Sequence, residues 1–461
     1  MEKGLKKFLC DRTFMKAVLA AAIPLMLQQL ISSSVNLVDN LMVGQLGDAA
    51  LSSVAAVNRY YMIALFGTNG LAAAASVFIA QYYGAGEQEH MKQTFRTLLV
   101  IACVIMTGFT LAGLLLSSGI LGFFTSDATV IADGVGYIRI VASSFVPTAI
   151  TVSIYNAMRA TGEMKIPLRC SVVAVATNTV LNYCLIFGSF GFPRLGIAGA
   201  AVATVIARLV ELSLALLALY RTDFAFKTRL QDIFAIPQEI MTKVLAKAAP
   251  LMLNEVLWSS GMSMLFKFYS YRGSEVMSGY SIASTVGDIF FTLFAGMAAA
   301  TTVFISQPLG SNELEKARRH GYQLLGFSVM LSCVFAVMMF ASSFAVPLLY
   351  SEVSATAKSM AQNFLIIQSF MFWIYMATTQ CYFTLRAGGD MKHTLIMDSC
   401  FMGCINIPIV AFVTYCTDFS YIWIYIIGQL TDMVKLTFAY HLVSKEKWVV
   451  NLTKDPTQQI E

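Results

Sequence analysis

Three acidic residues, Asp39, Glu255 and Asp288, stand inside long apolar stretches. A charge at the centre of a bilayer costs at least ~2.5–3.5 kcal/mol, so an acid retained there is expected to face a cavity and handle ions or charged ligands. Asp39 lies in Ser32-Ser33-Ser34-Val35-Asn36-Leu37-Val38-Asp39-Asn40, with Asn36 about one helical turn before it and no basic residue nearby. Asn178 and Asn182 are spaced i, i+4 and share one helix face. Two carboxamides and a carboxylate make an oxygen-rich pocket able to hold a proton or a hard cation such as sodium. Glu255, in Leu253-Asn254-Glu255-Val256, lies ~12 Å into its own stretch by helical rise. It is read as a cargo site or a second coupling site, with pairing to Lys247 or Lys267 as its structural alternative. Arg208 with Glu211, and Asp432 with Lys435, are each i, i+3 and are expected to neutralise each other. Asp288 has no partner in the sequence.

These residues need membrane helices to position them. Apolar residues make up 57% of the 461-residue chain and charged ones 12%, where a soluble domain has about 25% charged. Mean hydropathy is +0.69. On a ruler of roughly twenty residues per crossing, the chain divides into twelve expected spans, six in each half. They fall near 15–40, 52–81, 95–117, 129–158, 166–188, 197–219, 242–268, 277–307, 321–344, 356–384, 394–415 and 421–443. The expected division is a six-helix region over 1–225, a polar linker over 226–241 and a second six-helix region over 242–461. Of the 31 Lys and Arg residues, 23 fall at the two ends and in the even-numbered connections, which places both termini in the cytoplasm.

The halves are copies. Pro24-Leu25-Met26-Leu27 returns as Pro250-Leu251-Met252-Leu253, and Arg159-Ala160-Thr161-Gly162 returns as Arg386-Ala387-Gly388-Gly389. A repeat of that length is a duplicated half-protein, and two related helical halves with a site between them are a transporter plan. Six spans is an even number, so the repeats are parallel. Pro24 removes a backbone donor inside the first span and is the expected hinge. Nine cysteines, odd in number and mostly within apolar stretches, argue against a disulfide framework. No Gly-x4-Gly-Lys-[Ser/Thr] loop exists to cradle phosphates, and the four histidines do not cluster with acids. An ATP-driven pump, an enzyme and a metal site are therefore disfavoured. The modest charge of +5, without a dense basic tail, gives no reason to expect a nucleic-acid partner.

The order and spacing of these motifs resemble the multidrug and toxic compound extrusion (MATE) family. The resemblance rests on Pro-x14-Asp running into Asp39-Asn40-Leu41-Met42-Val43-Gly44, on Asn178-x3-Asn182, on Gly199-Ala200-Ala201-x-Ala203-Thr204, on Asn254-Glu255 and on the Arg-x2-Gly motifs at 159 and 386. It covers residues 13 to 443. It implies an all-α membrane protein with two six-helix bundles around a V-shaped central cleft. The implied activity is export of bulky, often cationic organic compounds, driven by inward proton or sodium flow, in the cell (inner) membrane. No cofactor beyond the coupling ion is implied, and the partners are drugs or organic cations and lipids, with a monomeric chain. Residue by residue, the family's first-span acid falls on Asp39, its fifth-span polar pair on Asn178 and Asn182, its sixth-span hydroxyl on Thr204 and its seventh-span acid on Glu255. Two family acids are absent, their places taken by Asn182 and Tyr375. A lipid-linked oligosaccharide flippase of related architecture is the alternative, but it would line its cleft with basic residues, and the deep unpaired groups here are mostly acidic.

Overall fold

A computed structural model describes residues 5–125, 127–269, 271–349 and 353–454. Of the expected cytoplasmic ends, residues 1–4 and 455–461 lie outside the described residues. Backbone groups in hydrocarbon have no water to bond, so an apolar chain satisfies them internally, as helix. The long helices are α1 (Arg12–Gly44), α2 (Asp48–Ala85), α3 (Gln88–Leu115), α4 (Ala128–Ala160), α5 (Lys165–Phe187) and α6 (Ile197–Arg221). They continue as α7 (Gln238–Tyr269), α8 (Ser274–Gly310), α9 (Leu314–Ala345), α10 (Ala355–Ala387), α11 (Met391–Cys416) and α12 (Tyr421–Ser444). Among the described residues, ten of these are long and apolar enough to cross a membrane. The two that fall short are α7, which carries Lys243, Lys247, Asn254 and Glu255, and α12, which carries Gln429, Asp432 and Lys435.

Local chemistry sets the helix ends. Gly47 and Gly273 stand at equivalent places, before α2 and α8, with φ of 112° and 136°. That region is open to glycine and strained for other residues. Asp127 caps α4, accepting bonds from the Thr129 hydroxyl and from the Thr129 and Val130 amides, which hold its carboxyl below the usual carboxylate range. Two helices depart from regular α geometry. One π segment interrupts α8 at Thr302–Ser306, and two interrupt α11 at Ile396–Cys400 and Met402–Asn406.

The chain forms two compact units, Leu27–Met252 and Met1–Met26 with Leu253–Glu461. The boundaries lie inside α1 and α7, two residues beyond Pro24 and Pro250, and the linker at 226–241 belongs wholly to the first of these units. A proline within a helix cannot donate to the carbonyl four residues back and crowds it, which weakens the helix at that point. Each of these two helices therefore contributes to both units.

Small residues make that possible. A Cβ at Gly70 in α2 would lie 2.8 Å from the Met252 Cα and 2.8 Å from its nitrogen. A Cβ at Gly296 in α8 would lie 2.5 Å from Met26 Cγ and 2.9 Å from the Ala22 carbonyl oxygen. The two contacts are equivalent in the repeat. Small residues that let backbones approach closely are how membrane helices associate, because lipid offers no hydrophobic drive between them. Elsewhere in the second unit, Trp448 is wholly buried against Gly321 and Gly388, its ring nitrogen donating to the Val443 carbonyl at 2.9 Å.

Filling either glycine contact forces backbone shifts, which typically cost ~1–3 kcal/mol. Gly70→Val and Gly296→Val should each lower the melting temperature of the purified protein in detergent. Gly108→Val, on α3 where a Cβ would meet nothing within 4 Å, should leave it unchanged.

Candidate functional site

Within the Leu27–Met252 unit, α1, α2, α4, α5 and α6 enclose a cavity of about 370 Å³. Asp39, Asn36, Asn178, Asn182 and Thr204 all line it. Asp39 arrives from the part of α1 that follows Pro24. Asn182 Nδ2 donates to Asp39 Oδ1 at 2.7 Å and is shared with Asn178 Oδ1 at 3.3 Å. The i, i+4 spacing thus puts both amides on one face, with Asn182 on the carboxylate and Asn178 behind it. Asn182 is 2% exposed, and among the described residues its Oδ1 has no hydrogen-bond partner. A buried acceptor left bare costs about 1–3 kcal/mol, so this corner is chemically suited to a proton donor or a cation. The Thr204 hydroxyl donates to Ala200 O on its own helix at 3.0 Å, and Asn36 is exposed at the cavity wall.

Arg208 and Glu211 line the same cavity and form the expected ion pair at 2.8 Å. That pair belongs to a longer chain. Ser171 donates to Glu211 at 2.9 Å, Gln28 Nε2 donates to Ser171 at 2.7 Å, and Arg159 donates to Gln28 Oε1 at 2.8 Å. Among the described residues Asp39 has no ion pair, so it is the cavity's uncompensated acid.

The other unit holds an equivalent cavity of about 120 Å³, built by α7, α8, α10, α11 and α12. Offsets of 226 and 227 residues carry Asp39 onto Leu265, Phe145 onto Phe372, Thr204 onto Thr431 and Arg208 onto Lys435. Ser171 maps onto Asp398, so the bond between Gln28 and Ser171 is matched by Asn254 Nδ2 donating to Asp398 at 3.1 Å. Asn178 would map onto Ile405, but the π turns of α11 bring Asn406 to the cavity instead. There its amide donates to the Thr431 hydroxyl at 2.5 Å.

The structure corrects one expected pair. Lys435 does not pair with Asp432; its ammonium meets Asp398 Oδ1 at 2.7 Å. An i, i+3 pair lies along one helix surface and is worth a few tenths of a kcal/mol. Lys435 is buried and gains more from a carboxylate across the helix interface, one already oriented by Asn254. Asp398 is the functional candidate that sequence reasoning missed. Its signal was available: an acid in the eleventh expected span, at the repeat position of polar Ser171. Asp288, unplaced by sequence, lines this second cavity together with Asp432. Glu255 lines neither cavity. It is half-buried beside Arg386 and Asp398, and among the described residues it makes no ion pair within 4 Å.

With these positions fixed, known proteins can be compared. The MatE family profile matches residues 24–184 and 250–413, one segment in each half. A Bacillus subtilis protein described as probable multidrug resistance protein YoeA is 22% identical over 436 residues, covering 93% of this chain and 94% of its own. A Bradyrhizobium diazoefficiens protein described as probable multidrug resistance protein NorM is 25% identical over 412 residues, covering 88% of each. Among solved structures, a MOP superfamily transporter from Pyrococcus furiosus superposes with a TM-score of 0.86 at 18% identity, over 99% of this chain and 100% of that one. The Vibrio cholerae MATE transporter VcmN in the bent form gives 0.84 at 19%, over 94% and 97%. The profile spans well over half of the chain and both copies of its repeat, and the chain therefore belongs to the multidrug and toxic compound extrusion (MATE) family of membrane transporters.

Proposed function

We propose that the protein is a secondary antiporter of the cell membrane that exports organic cations or drugs in exchange for inward protons or sodium ions. The observation that carries this reading is the Asp39–Asn182 contact at 2.7 Å inside a cavity whose other charges, Arg208 and Glu211, cancel. In this reading all twelve long helices cross the bilayer, α7 and α12 included, with both termini cytoplasmic and one chain sufficient for transport. The Leu27–Met252 unit couples the ion. Asn178, Asn36 and Thr204 complete the wall around Asp39, and Glu255 serves the other unit as a cargo or second coupling acid.

The mechanism is alternating access. An ionised Asp39 in a closing, partly dehydrated cavity is costly, whereas a carboxyl neutralised by a proton or balanced by sodium is not. Ion binding therefore favours the return step, and cargo binding favours the export step. Each ligand shifts the equilibrium only by its difference in affinity between the two states. Pro24, two residues before the boundary between units, supports a hinge in α1 that moves Asp39 relative to the start of its own helix. The paired state of Arg208 and of Lys435 weighs against a flippase for a pyrophosphate-linked lipid, which needs cations free to meet the phosphates.

Proteoliposomes with imposed proton and sodium gradients, applied separately, test the reading. Export that responds to neither gradient would reject it. Asp39→Asn should abolish gradient-driven export in everted vesicles while the melting temperature holds, because the amide keeps the volume but neither exchanges a proton nor balances a cation. Full export by this variant would remove Asp39 from the mechanism.

Asn182→Ala removes a hydrogen bond to a charged group, worth about 1.5–3 kcal/mol. It should weaken the coupling ion roughly 10- to 100-fold. Asn178→Ala, which touches Asp39 only through Asn182, should do less. If both variants keep wild-type ion dependence and lose only cargo affinity, the cavity belongs to the cargo.

A further inference from the structure

Among the described residues, two polar rungs join α1 to α5, and they share one register. Asn182 donates to Asp39 and Gln28 donates to Ser171, each at 2.7 Å and each between residues 143 apart in the chain. Eleven residues separate the rungs on either helix, about 16 Å by helical rise. Both border the Asp39 cavity, one through Asp39 and Asn182 and the other through Ser171.

The Gln28 rung is the more heavily tied. Arg159, in the last turn of α4, donates to Gln28 Oε1 at 2.8 Å, and Ser171 donates to Glu211 Oε1 at 2.9 Å. The bonds run one way, from Arg159 through both ends of the Gln28 carboxamide to a carboxylate that Arg208 also holds. Four helices, α1, α4, α5 and α6, meet in this chain. Hydrogen bonds to ionised groups are roughly twice as strong as neutral ones. The Gln28 rung keeps two such bonds whatever the charge on Asp39, whereas the Asp39 rung loses its charge assistance once that carboxyl takes up a proton.

The other unit keeps one rung and lacks the other. Asn254, at the repeat position of Gln28, donates to Asp398, at the position of Ser171, at 3.1 Å. Arg386 lies over the Tyr382 ring at 5.6 Å, as Arg159 lies over Tyr155 at 5.9 Å. Leu265 stands at the place of Asp39. A contact kept where the coupling acid has gone is not there to hold that acid.

We propose that Gln28, with Arg159 and Ser171, is a seal that closes the Asp39 cavity toward the connection between α4 and α5, so that the coupling ion passes that way only while the rung is open. An aliphatic side chain at 28 would leave Arg159 and Ser171 each short of a partner, and water fills sites of that kind. The ion would then cross without cargo. This deepens the antiport reading and rests on it for the ion and for calling that side cytoplasmic; closure of the cavity does not depend on transport.

A thiol on the cavity wall tests the seal. Ser32→Cys, four residues beyond Gln28, is treated with a membrane-impermeant thiol reagent in everted and in right-side-out vesicles, with the chain lacking this substitution as background. Adding Gln28→Leu should raise its labelling from the everted face at least 10-fold, and Ser171→Ala, which removes a single atom of the rung, should raise it less. Melting temperature in detergent identifies any variant that fails to fold, and the other then carries the test. Labelling that rises in neither variant, or that is already complete with the rung intact, would overturn the seal. In proteoliposomes Gln28→Leu should also pass the coupling ion down an imposed gradient without cargo, at least 5-fold faster than wild type. Labelling that rises in the variants while neither gradient drives export in wild type rejects antiport and leaves the seal standing. Gradient-driven export with labelling unchanged does the reverse.

Discussion

Two close backbone approaches organise this molecule: Met252 of α7 against Gly70 of α2, and Met26 of α1 against Gly296 of α8. They are one contact made twice, once in each copy of the repeat. Helices in lipid associate through close packing and interhelical hydrogen bonds, and the absence of a Cβ at these two positions lets the start of α7 pack closely in one unit and the start of α1 in the other. Pro24 and Pro250 stand two residues before the crossings, where each helix lacks one backbone donor. Asp39, in the part of α1 beyond its proline, is positioned by the unit that binds it, while the start of the same helix belongs to the other unit. A covalent connection of that kind is a route by which a local change of charge can reach beyond its own unit.

Desolvation governs the second level of organisation. Each cation at a cavity wall has been matched by an acid, but from different helices. Arg208 is met by Glu211 on α6 itself, whereas its repeat counterpart Lys435 is met by Asp398 on α11. The carboxylate has changed places while the pairing has been kept. Among the described residues, what remains unpaired at the walls is acidic throughout: Asp39 in one cavity, Asp288 and Asp432 in the other. An isolated charge inside a low-dielectric bundle is strongly disfavoured, so these acids are the groups that a bound proton or cation would stabilise most.

Much of this was legible in the sequence because its causes are local or periodic. Hydropathy places the long helices, since lipid permits few other backbones. The repeat was visible in Pro24 and Pro250 and in Arg159 and Arg386. Asn178 and Asn182 announced a shared face by their spacing, and Asp39 announced itself by its isolation in an apolar stretch. The division into units was set elsewhere: it follows contacts at Gly70 and Gly296 between helices far apart in the chain.

The partners of the charged groups were likewise decided only by the tertiary structure. Sequence spacing ranks neighbours along one helix, and on that ranking Asp432 is the obvious mate for Lys435. The folded chain brings Asp398 to 2.7 Å instead, because α11 packs against α12 and a buried ammonium takes the carboxylate that is already oriented across the interface. The same packing set Asn406, rather than its neighbour at the strict repeat position, into the cavity through a π turn that no hydropathy pattern encodes. The sequence determined which residues are too costly to leave in lipid. Three-dimensional packing determined what each of them faces, because electrostatic energy depends on distance through space and on local hydration, neither of which is ordered along the chain.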